Sequence, residues 1–443
     1  MTLSPTYASS IGRRRFLGYL AGATTTVLLA GCGAAANAGT TTLNVWGGVP
    51  LENGPRDLIA AFQKANPSIK VNYTRFVNDD TGNTKLDTAL QGGTPIDVYF
   101  TYDVPRMGQR IKSGLAEDLT SYIQSDSVLK PWTATTDGLF TYQNTFYSLP
   151  TTREPNFIAI NKKLLDAAGQ RVPQNWTIDE FHALARTLTR ANGGQTVYGS
   201  YAPPDLSVLT LGPNAMYTDG GKASNFDNPV FRQSMQLHLD MIKEKSAFPW
   251  TDVMAQNLRV YQQGPYLNGQ FAMWLSSPYN MRYVRDTSKY PHDFVTTFAP
   301  IPRPTNASSY YNGGGLNNWI MLSKKAKNKD AAWKFIRYWI GDGSKYMLKG
   351  SKNPVLPGIS QDEQVSSILG SNPDQLFDAA AFKRVIFDPN IKLVTNTITA
   401  AGAQMTKILQ AQSDRCLIGE ISVDQWATTL KQQCDAAIKQ AGS

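Results

Sequence analysis

The residue types that usually perform catalysis occur in this 443-residue chain, but their spacing matches no familiar catalytic centre. Its three histidines, His182, His238 and His292, are dispersed, and none belongs to a His-Glu-x-x-His or other metal-binding spacing. The sequence contains neither a Gly-x-Ser-x-Gly elbow nor a Gly-x-x-x-x-Gly-Lys-Ser/Thr phosphate loop. The acidic run 78–83 lacks the ligand spacing and the terminal Glu of a calcium loop. We therefore expect no metal and no cofactor. A glycosidase carboxylate pair, whose members can be distant in sequence, stays open.

Residues 313–319, Gly-Gly-Gly-Leu-Asn-Asn-Trp, offer the chemistry of binding instead. Around Gly314 the absence of side chains lets the backbone approach a ligand closely. Asn317 and its neighbour supply both hydrogen-bond donors and acceptors. The competing interpretation is a flexible loop that leads into a strand from Trp319 to Leu322.

Alternating strands and helices are predicted to position further polar and aromatic residues. The order strand 43–46, helix 55–66, strand 69–74, helix 86–90 and strand 96–102 predicts a parallel α/β sheet. Ligands of such sheets bind at the carboxyl ends of the strands. Trp46, Tyr102 and Asp103 lie at those ends and are candidate ligand contacts. The structural alternatives are a position in the core for Trp46 and a surface turn for Tyr102 and Asp103.

The N-terminus has the order of an export signal. Arg13-Arg14-Arg15 precedes a short apolar run that ends in Leu-Ala-Gly before Cys32, which predicts a signal peptide over residues 1–31 rather than a membrane span. Leu-Ala-Gly-Cys resembles a lipobox, so we expect Cys32 to be acylated and residues 32–42 to form a lipidated tether. Arg-Arg-x-Phe-Leu resembles a twin-arginine signal. Gly12 and Gly18 depart from that pattern, so Sec export stays open.

Size and charge limit the partners of the mature chain. Without residues 1–31 it has 412 residues and a formal charge of +6, enough for two or three domains. Its Lys and Arg are scattered without a basic stripe, which argues against nucleic acid as a partner. The predicted localisation is the outer face of the cytoplasmic membrane, through the lipid anchor, or the periplasm.

Two cysteines remain in the mature chain, Cys416 and Cys434. An extracytoplasmic disulfide between them would contribute roughly 3 kcal/mol on the entropy model. Residues 422–425 predict a capping box that opens a helix, which would place Cys434 about 18 Å along its axis. A disulfide and two buried free thiols are therefore both open.

Several segments together carry a family resemblance. They are Leu43 to Trp46, Gly93 to Val98, Gly114 to Leu119, Tyr147 to Pro150, Ile160 to Lys162, Pro173 to Phe181, Gly269 to Met273 and Lys329 to Ile336. In this order, across the whole mature chain, they are similar to bacterial extracellular solute-binding proteins of ABC importers, of the maltose- and glycerol-phosphate-binding type. Ile96, between Pro95 and Asp97, departs from the pattern of many relatives.

The resemblance implies a periplasmic-binding-protein-like fold of two α/β lobes, with the ligand in the cleft between them. The N-terminal lobe would comprise residues 43–152 and 298–345, and the C-terminal lobe residues 153–297 and 346–443. A hinge with about three crossings would lie near residues 151–152, 298–300 and 351–353.

The resemblance also implies site residues. Glu154 matches a ligand-binding glutamate of maltose-type binders, and Arg153 would be its partner in the cleft. Asp219 and Gly220 match a turn that often borders the cleft, and Tyr279 lies where sugar binders supply a stacking aromatic ring. The structural alternative for Arg153 and Glu154 is an exposed ion pair at the hinge. The structural alternative for Asp219 and Gly220 is an ordinary Asp-Gly turn.

The implied function is capture of a small solute, a mono- or oligosaccharide being favoured, for delivery to ABC permease subunits by a monomeric protein. One alternative is an anionic solute such as glycerol 3-phosphate or its diesters, suggested by Arg153 and the basic mature chain. A less favoured alternative is an exported carbohydrate-active enzyme.

Overall fold

A computed structural model describes residues 39–192, 194–371 and 373–442. The predicted signal peptide, Cys32 and most of the predicted tether lie outside the described residues, so these three stay predictions. The described residues from Thr40 onward form one compact unit.

Strands and helices alternate along the described chain. The strands, β1 to β13, are Thr41–Gly47, Ile69–Arg75, Val98–Thr101, Thr152–Glu154, Phe157–Asn161, Arg190–Asn192, Gln195–Ser200, Tyr217–Thr218, Ala223–Ser224, Phe271–Ser276, Thr296–Ala299, Gly315–Asn317 and Trp319–Leu322. The helices, α1 to α18, are Pro55–Ala65, Asp80–Gln91, Val104–Lys112, Thr120–Gln124, Leu129–Thr135, Lys162–Ala167, Ile178–Leu188, Leu206–Leu211, Pro229–Lys243, Trp250–Ala255, Gln263–Leu267, Met281–Arg285, Lys329–Ile340, Ser344–Met347, Gln361–Leu369, Ala379–Ile386, Gly402–Leu417 and Val423–Gly442.

The first sheet has the strand order β13-β3-β1-β2, in which β1 is parallel to β2 and β3, and β13 is antiparallel to β3. Leu43 and Val45 of β1 are fully buried and alternate with partly exposed residues, as the period of two requires. Helix α1 begins with Pro55 and packs Leu58 and Phe62 into the same core. The predicted parallel α/β sheet is confirmed.

The second sheet has the order β11-β5-β10-β7-β6. Its strand β5 is buried on both faces, because Phe157 and Ala159 belong to one hydrophobic core while Ile158 and Ile160 belong to another. Helices on both sides of the sheet make this possible. Each large apolar side chain buried there contributes about 1.5–3 kcal/mol.

The chain passes between the two sheets three times within the described residues. The first crossing runs through β4, the second through β12, and the third through residues 352–354. Strands β4 and β12 pair antiparallel, and the Arg153 amide donates to the Asn353 carbonyl at 2.9 Å, so the three crossings are hydrogen-bonded to one another. The crossing predicted near residues 298–300 differs from the second crossing at β12, because Thr296–Ala299 form β11 and pair with β5 inside the second sheet. The other predicted lobe boundaries stay a prediction.

Local capping confirms one helix start in detail. The Thr177 hydroxyl accepts from the Glu180 amide at 3.2 Å, and the Glu180 carboxylate accepts from the Thr177 amide at 2.7 Å. This reciprocal pair is the predicted capping box at the start of α7.

Cys416 and Cys434 are free thiols, both buried in the core that α17 and α18 share with α9. Of the two alternatives left open by the sequence, the structure has the free thiols and no disulfide. Cys416 lies at the end of α17, whereas Cys434 lies about 16 Å beyond the start of α18 at 1.5 Å per residue. Burial raises the pKa of the two thiols to about 11 and about 12, respectively, which keeps them protonated.

Candidate functional site

The carboxyl ends of β1 and β3 form one wall of a cleft. Gly48 follows β1, Tyr102 follows β3, and the Gly48 amide donates to Tyr102 Oη at 2.6 Å. A Cβ on Gly48 would lie 2.9 Å from the same oxygen, so a larger residue would displace the ring. Burial raises the pKa of the Tyr102 hydroxyl. The hydroxyl therefore stays protonated and can donate its own hydrogen toward the cleft.

The opposite wall comes from the segment that follows β10 and from α12. Tyr279, Arg282 and Tyr283 lie there within five residues of one another. The Arg282 guanidinium is 4.7 Å from the ring centroid of Tyr283 and 5.8 Å from that of Tyr279, and its Nη2 donates to Tyr283 Oη at 2.8 Å. Burial raises the pKa of Tyr279 to about 12, so this hydroxyl is also neutral.

A buried carboxylate forms the base of the cleft and connects the three crossings of the chain between the two sheets. Glu154 Oε1 on β4 accepts from Asn318 Nδ2 after β12 and from Lys352 Nζ in the third crossing, each at 3.0 Å. The Glu154 and Lys352 side chains are only 6% and 8% exposed, so solvent screens their attraction weakly. Burial lowers the pKa of the Lys352 ammonium, while Glu154 raises it.

These surfaces line a cleft of about 940 Å³, which is within the size range of small-molecule binding sites. Tyrosines are prominent in its lining. They are Tyr102, Tyr261, Tyr279, Tyr283 and Tyr290. A tyrosine presents a flat apolar ring and a polar hydroxyl, the combination that suits a ligand with apolar C–H faces and many hydroxyls.

Four of the residues predicted from the sequence line this cleft: Tyr102, Glu154, Tyr279 and Asn317. They come from four different segments of the chain and from both sides of the cleft. The structure thus brings them together, and their role in binding stays a proposal.

Trp46 and Asp103 do not line the cleft. Trp46 packs partly buried against the core between the first sheet and its helices, with the Lys85 ammonium 6.0 Å from its ring centroid. Asp103 caps α3, accepting from the Arg106 amide at 2.8 Å and from Arg106 Nη1 at 2.9 Å.

Four other predicted residues also lie away from the cleft lining. Arg153 alternates with Glu154 on β4, points to the other side and donates to the Ile386 carbonyl at 3.1 Å. Gly314 packs against the backbone of the segment after β4. Asp219 and Gly220 are exposed in a short 3-10 turn, both with positive φ. An anion site that rests on Arg153 therefore lacks support from this geometry.

Most of the lining was not among the predicted site residues, and this includes Arg282, Asn318 and Lys352, which make the polar contacts described above. Arg282 is one helical turn after the predicted Tyr279, and Asn318 is adjacent to the predicted Asn317. Lys352 lies within a predicted hinge segment. In each case the sequence analysis singled out a nearby residue or the surrounding segment. Whether the side chain faces the cleft depends on the tertiary arrangement, which no short sequence pattern contains.

Two further properties concern the described part of the chain alone. It contains no group of three or more His, Cys, Asp or Glu placed to hold a metal ion. None of its helices has the length and apolar character needed to cross a bilayer.

Two α/β lobes joined by three crossings, with a large cleft between them, define a two-lobed solute-binding protein. The family model of bacterial extracellular solute-binding proteins matches residues 50–346. The chain belongs to this family, as the sequence resemblance predicted.

Individual relatives are distant in sequence. The chain is 24% identical over 332 residues to a mannitol-binding protein of Pseudomonas aeruginosa, covering 69% of this chain and 72% of the relative. It is 23% identical over 298 residues to a maltotriose-binding protein of Pyrococcus abyssi, covering 64% and 59%. An ABC substrate-binding protein of Listeria monocytogenes in complex with cycloalternan superposes with a TM-score of 0.74 at 20% identity, over 91% of this chain and 99% of the other. The predicted periplasmic-binding-protein-like fold is confirmed.

Proposed function

We propose that the protein captures a carbohydrate in the cleft outside the cytoplasmic membrane and delivers it, chemically unchanged, to the permease subunits of an ABC importer. The observation that carries the proposal is the tyrosine-rich cleft with a buried carboxylate at its base. Support also comes from the ligands named for similar proteins, which are mannitol, maltotriose and cycloalternan.

Hinge closure would couple binding to delivery. In this proposal one lobe is built on the first sheet and the other on the second sheet, and the chain crosses between them at β4, β12 and residues 352–354. Three crossings form the hinge, and few backbone angles need to change for the lobes to close. A ligand that contacts both walls binds the closed form more tightly and shifts the population toward it. The permease would recognise this closed monomer.

A ligand screen tests the proposal. The chain from Gly33 onward, which contains the compact unit, is unfolded and refolded to remove co-purified ligand and then heated with mannitol, maltotriose, other oligosaccharides and glycerol phosphates. A ligand at a hundredfold excess over its Kd stabilises the protein by about 2.7 kcal/mol and raises the melting temperature. Chromatography of the same mixtures must show unchanged saccharides, since turnover would favour an enzyme. No shift with any saccharide would refute the carbohydrate proposal.

Replacement of Tyr279 by alanine is expected to weaken carbohydrate binding by about 1–3 kcal/mol, because a ring in the wall of the cleft is lost. Titration calorimetry measures the affinity. The ligand-free melting temperature of the variant provides the control. A loss of ligand-free stability as large as the loss of affinity would show that Tyr279 supports the fold rather than the ligand.

We also propose that Cys32 carries the lipid anchor. Cys32→Ala should then move the protein from the membrane fraction to the soluble fraction of its export compartment, because its anchor is lost while the binding unit is unchanged. Immunoblots of the two fractions measure the shift. A variant that stays in the membrane fraction although its signal peptide has been removed would argue against lipidation. Replacing Arg13, Arg14 and Arg15 by lysine in a separate variant distinguishes the routes, since only twin-arginine export should stop.

A further inference from the structure

The charges that line the cleft are unequal. Six cationic side chains face it, against three carboxylates. The cations are Arg75, Arg282, Arg285, Lys289, Lys349 and Lys352. The carboxylates are Glu52, Glu154 and Asp286. A cleft with this excess attracts anions, and its low-dielectric walls strengthen the field inside it.

The excess persists after existing ion pairs are considered. Lys352 is paired with Glu154, and Lys349 is 3.3 Å from Asp57, which is outside the cleft lining. Among the described residues, the other four cations have no carboxylate within 4.0 Å. Glu52 and Asp286 are likewise without an ion-pair partner there. Four unpaired cations therefore face two unpaired carboxylates.

Three of the unpaired cations are concentrated on one wall, within residues 282–289. Arg282 and Arg285 are three residues apart on α12, a spacing at which like charges repel. Arg285 is held by the carbonyls of Ser367 at 3.2 Å and Lys349 at 2.6 Å, neither of which neutralises its charge. Burial, reinforced by Arg282, lowers the pKa of Arg285. Residues 282–289 also contain Asp286, so this segment has a net charge of +2, and a bound anion would relieve the repulsion between Arg282 and Arg285.

The guanidinium of Arg282 is also placed beside a stacking surface. It lies over the Tyr283 ring and donates to the Tyr283 hydroxyl through Nη2. This single hydrogen bond leaves its other N–H groups for a ligand. A sugar ring packed on Tyr279 or Tyr283 would thus have its substituents within reach of the cation.

We propose that the ligand is a saccharide that carries a carboxylate or a phosphate, and that its anionic group binds at Arg282. This inference rests on the proposed function and adds the charge of the substrate. A guanidinium binds both anions through two parallel N–H···O hydrogen bonds, so the structure assigns the shared anionic character. The ligands named for the relatives above, mannitol, maltotriose and cycloalternan, are neutral, and the inference therefore concerns this chain alone.

Pairs of saccharides that are alike in structure but differ in charge test the inference by titration calorimetry on the refolded protein. Trigalacturonate is compared with its methyl ester and glucose 6-phosphate with glucose, which separates the carboxylate from the phosphate. Maltotriose and mannitol represent neutral ligands, while inorganic phosphate and glycerol 3-phosphate are anions without a sugar ring. We expect one acidic saccharide to bind at least about tenfold more tightly than its neutral counterpart, with an affinity that falls as salt rises.

Three variants test whether the cations of residues 282–289 cause the preference for acidic saccharides. Arg282→Gln should weaken binding of the acidic saccharide about tenfold and reduce its advantage over the neutral counterpart. Lys289→Gln, at an exposed position, gives a smaller change in the same direction and protects the test against misfolding of the first variant. Arg384→Gln, an exposed arginine of α16 outside the cleft, is the matched control and should change neither affinity.

Each other outcome has a definite meaning. Neutral saccharides that bind as tightly as acidic ones, or an Arg282→Gln variant that keeps the full preference, would overturn the anionic inference and leave the carbohydrate proposal standing. If inorganic phosphate or glycerol 3-phosphate binds as tightly as the acidic saccharides, the sugar ring does not contribute to recognition. The carbohydrate proposal and the anionic-saccharide inference would then both be wrong. Failure of every ligand to bind would count against both.

Discussion

Lys352→Met is expected to lower the free energy of unfolding by about 3–5 kcal/mol. The substitution keeps most of the side-chain volume but removes the ammonium that lies 3.0 Å from Glu154 Oε1. Glu154 would then remain a buried carboxylate with Asn318 as its hydrogen-bond donor at that oxygen. Breaking a buried pair in this way costs far more than the intact pair contributes, because the remaining charge has lost its compensation. Urea unfolding measures the change.

The double variant Glu154→Gln, Lys352→Met should recover most of the lost stability. A neutral glutamine can still accept from Asn318 Nδ2, and no charge is left buried. The coupling energy of the double-mutant cycle then isolates the pair from the separate effects of the two side chains. Since the pair joins the first and third crossings, the ligand affinity of each variant should be measured alongside its stability.

An exposed pair on the same side of the cleft provides the matched control. Lys349 lies 3.3 Å from Asp57, and the two side chains are 59% and 47% exposed. Lys349→Met should therefore cost less than about 1 kcal/mol. If Lys352→Met is as mild as this control, the Glu154–Lys352 pair must be hydrated in solution, and the picture of a buried link between the crossings would be wrong.

Only part of the Glu154 site could be predicted from the amino-acid sequence. Glu154 is predicted by the family resemblance, as a match to a ligand-binding glutamate of maltose-type binders. Its partners lie 164 and 198 residues away in the chain, so no local pattern connects them. Arg153 was assigned to the cleft with Glu154, yet adjacent residues of a strand point to opposite sides. Strand β4 has only three residues, too few for alternation to be visible in sequence.

Local signals did predict the first sheet. Alternating apolar residues in β1 and β2 and a proline at the start of α1 are each contained in a few residues, and each is present in the structure. The fold of the first lobe follows from such short-range order. The second sheet combines β5 with β10 and β11, which come from distant segments, and its strand order could be expected only from the family resemblance.

Gly314 shows how the same sequence feature can have a different physical cause from the one expected. Glycines in residues 313–315 predicted close approach of the backbone to a ligand. In the structure, a Cβ on Gly314 would lie 2.2 Å from the Glu154 carbonyl oxygen and 2.5 Å from the Asn156 nitrogen. The close approach is therefore between two crossings of the hinge, where β12 pairs with β4.

Gly314→Ala is accordingly expected to lower the free energy of unfolding by about 3 kcal/mol, the upper end of what overpacking costs. Both contacts involve backbone atoms, so relief requires β12 to move away from β4 rather than a side chain to rotate. Gly313→Ala is the matched control, because its Cβ would meet only side-chain atoms, of Asn156 and Val208, at 3.4 Å. Neither glycine has a positive φ, so the backbone conformation itself accepts alanine at both positions. Urea unfolding of the two variants compares them directly. Equal stability of the two would show that the first and second crossings are not in close contact in solution.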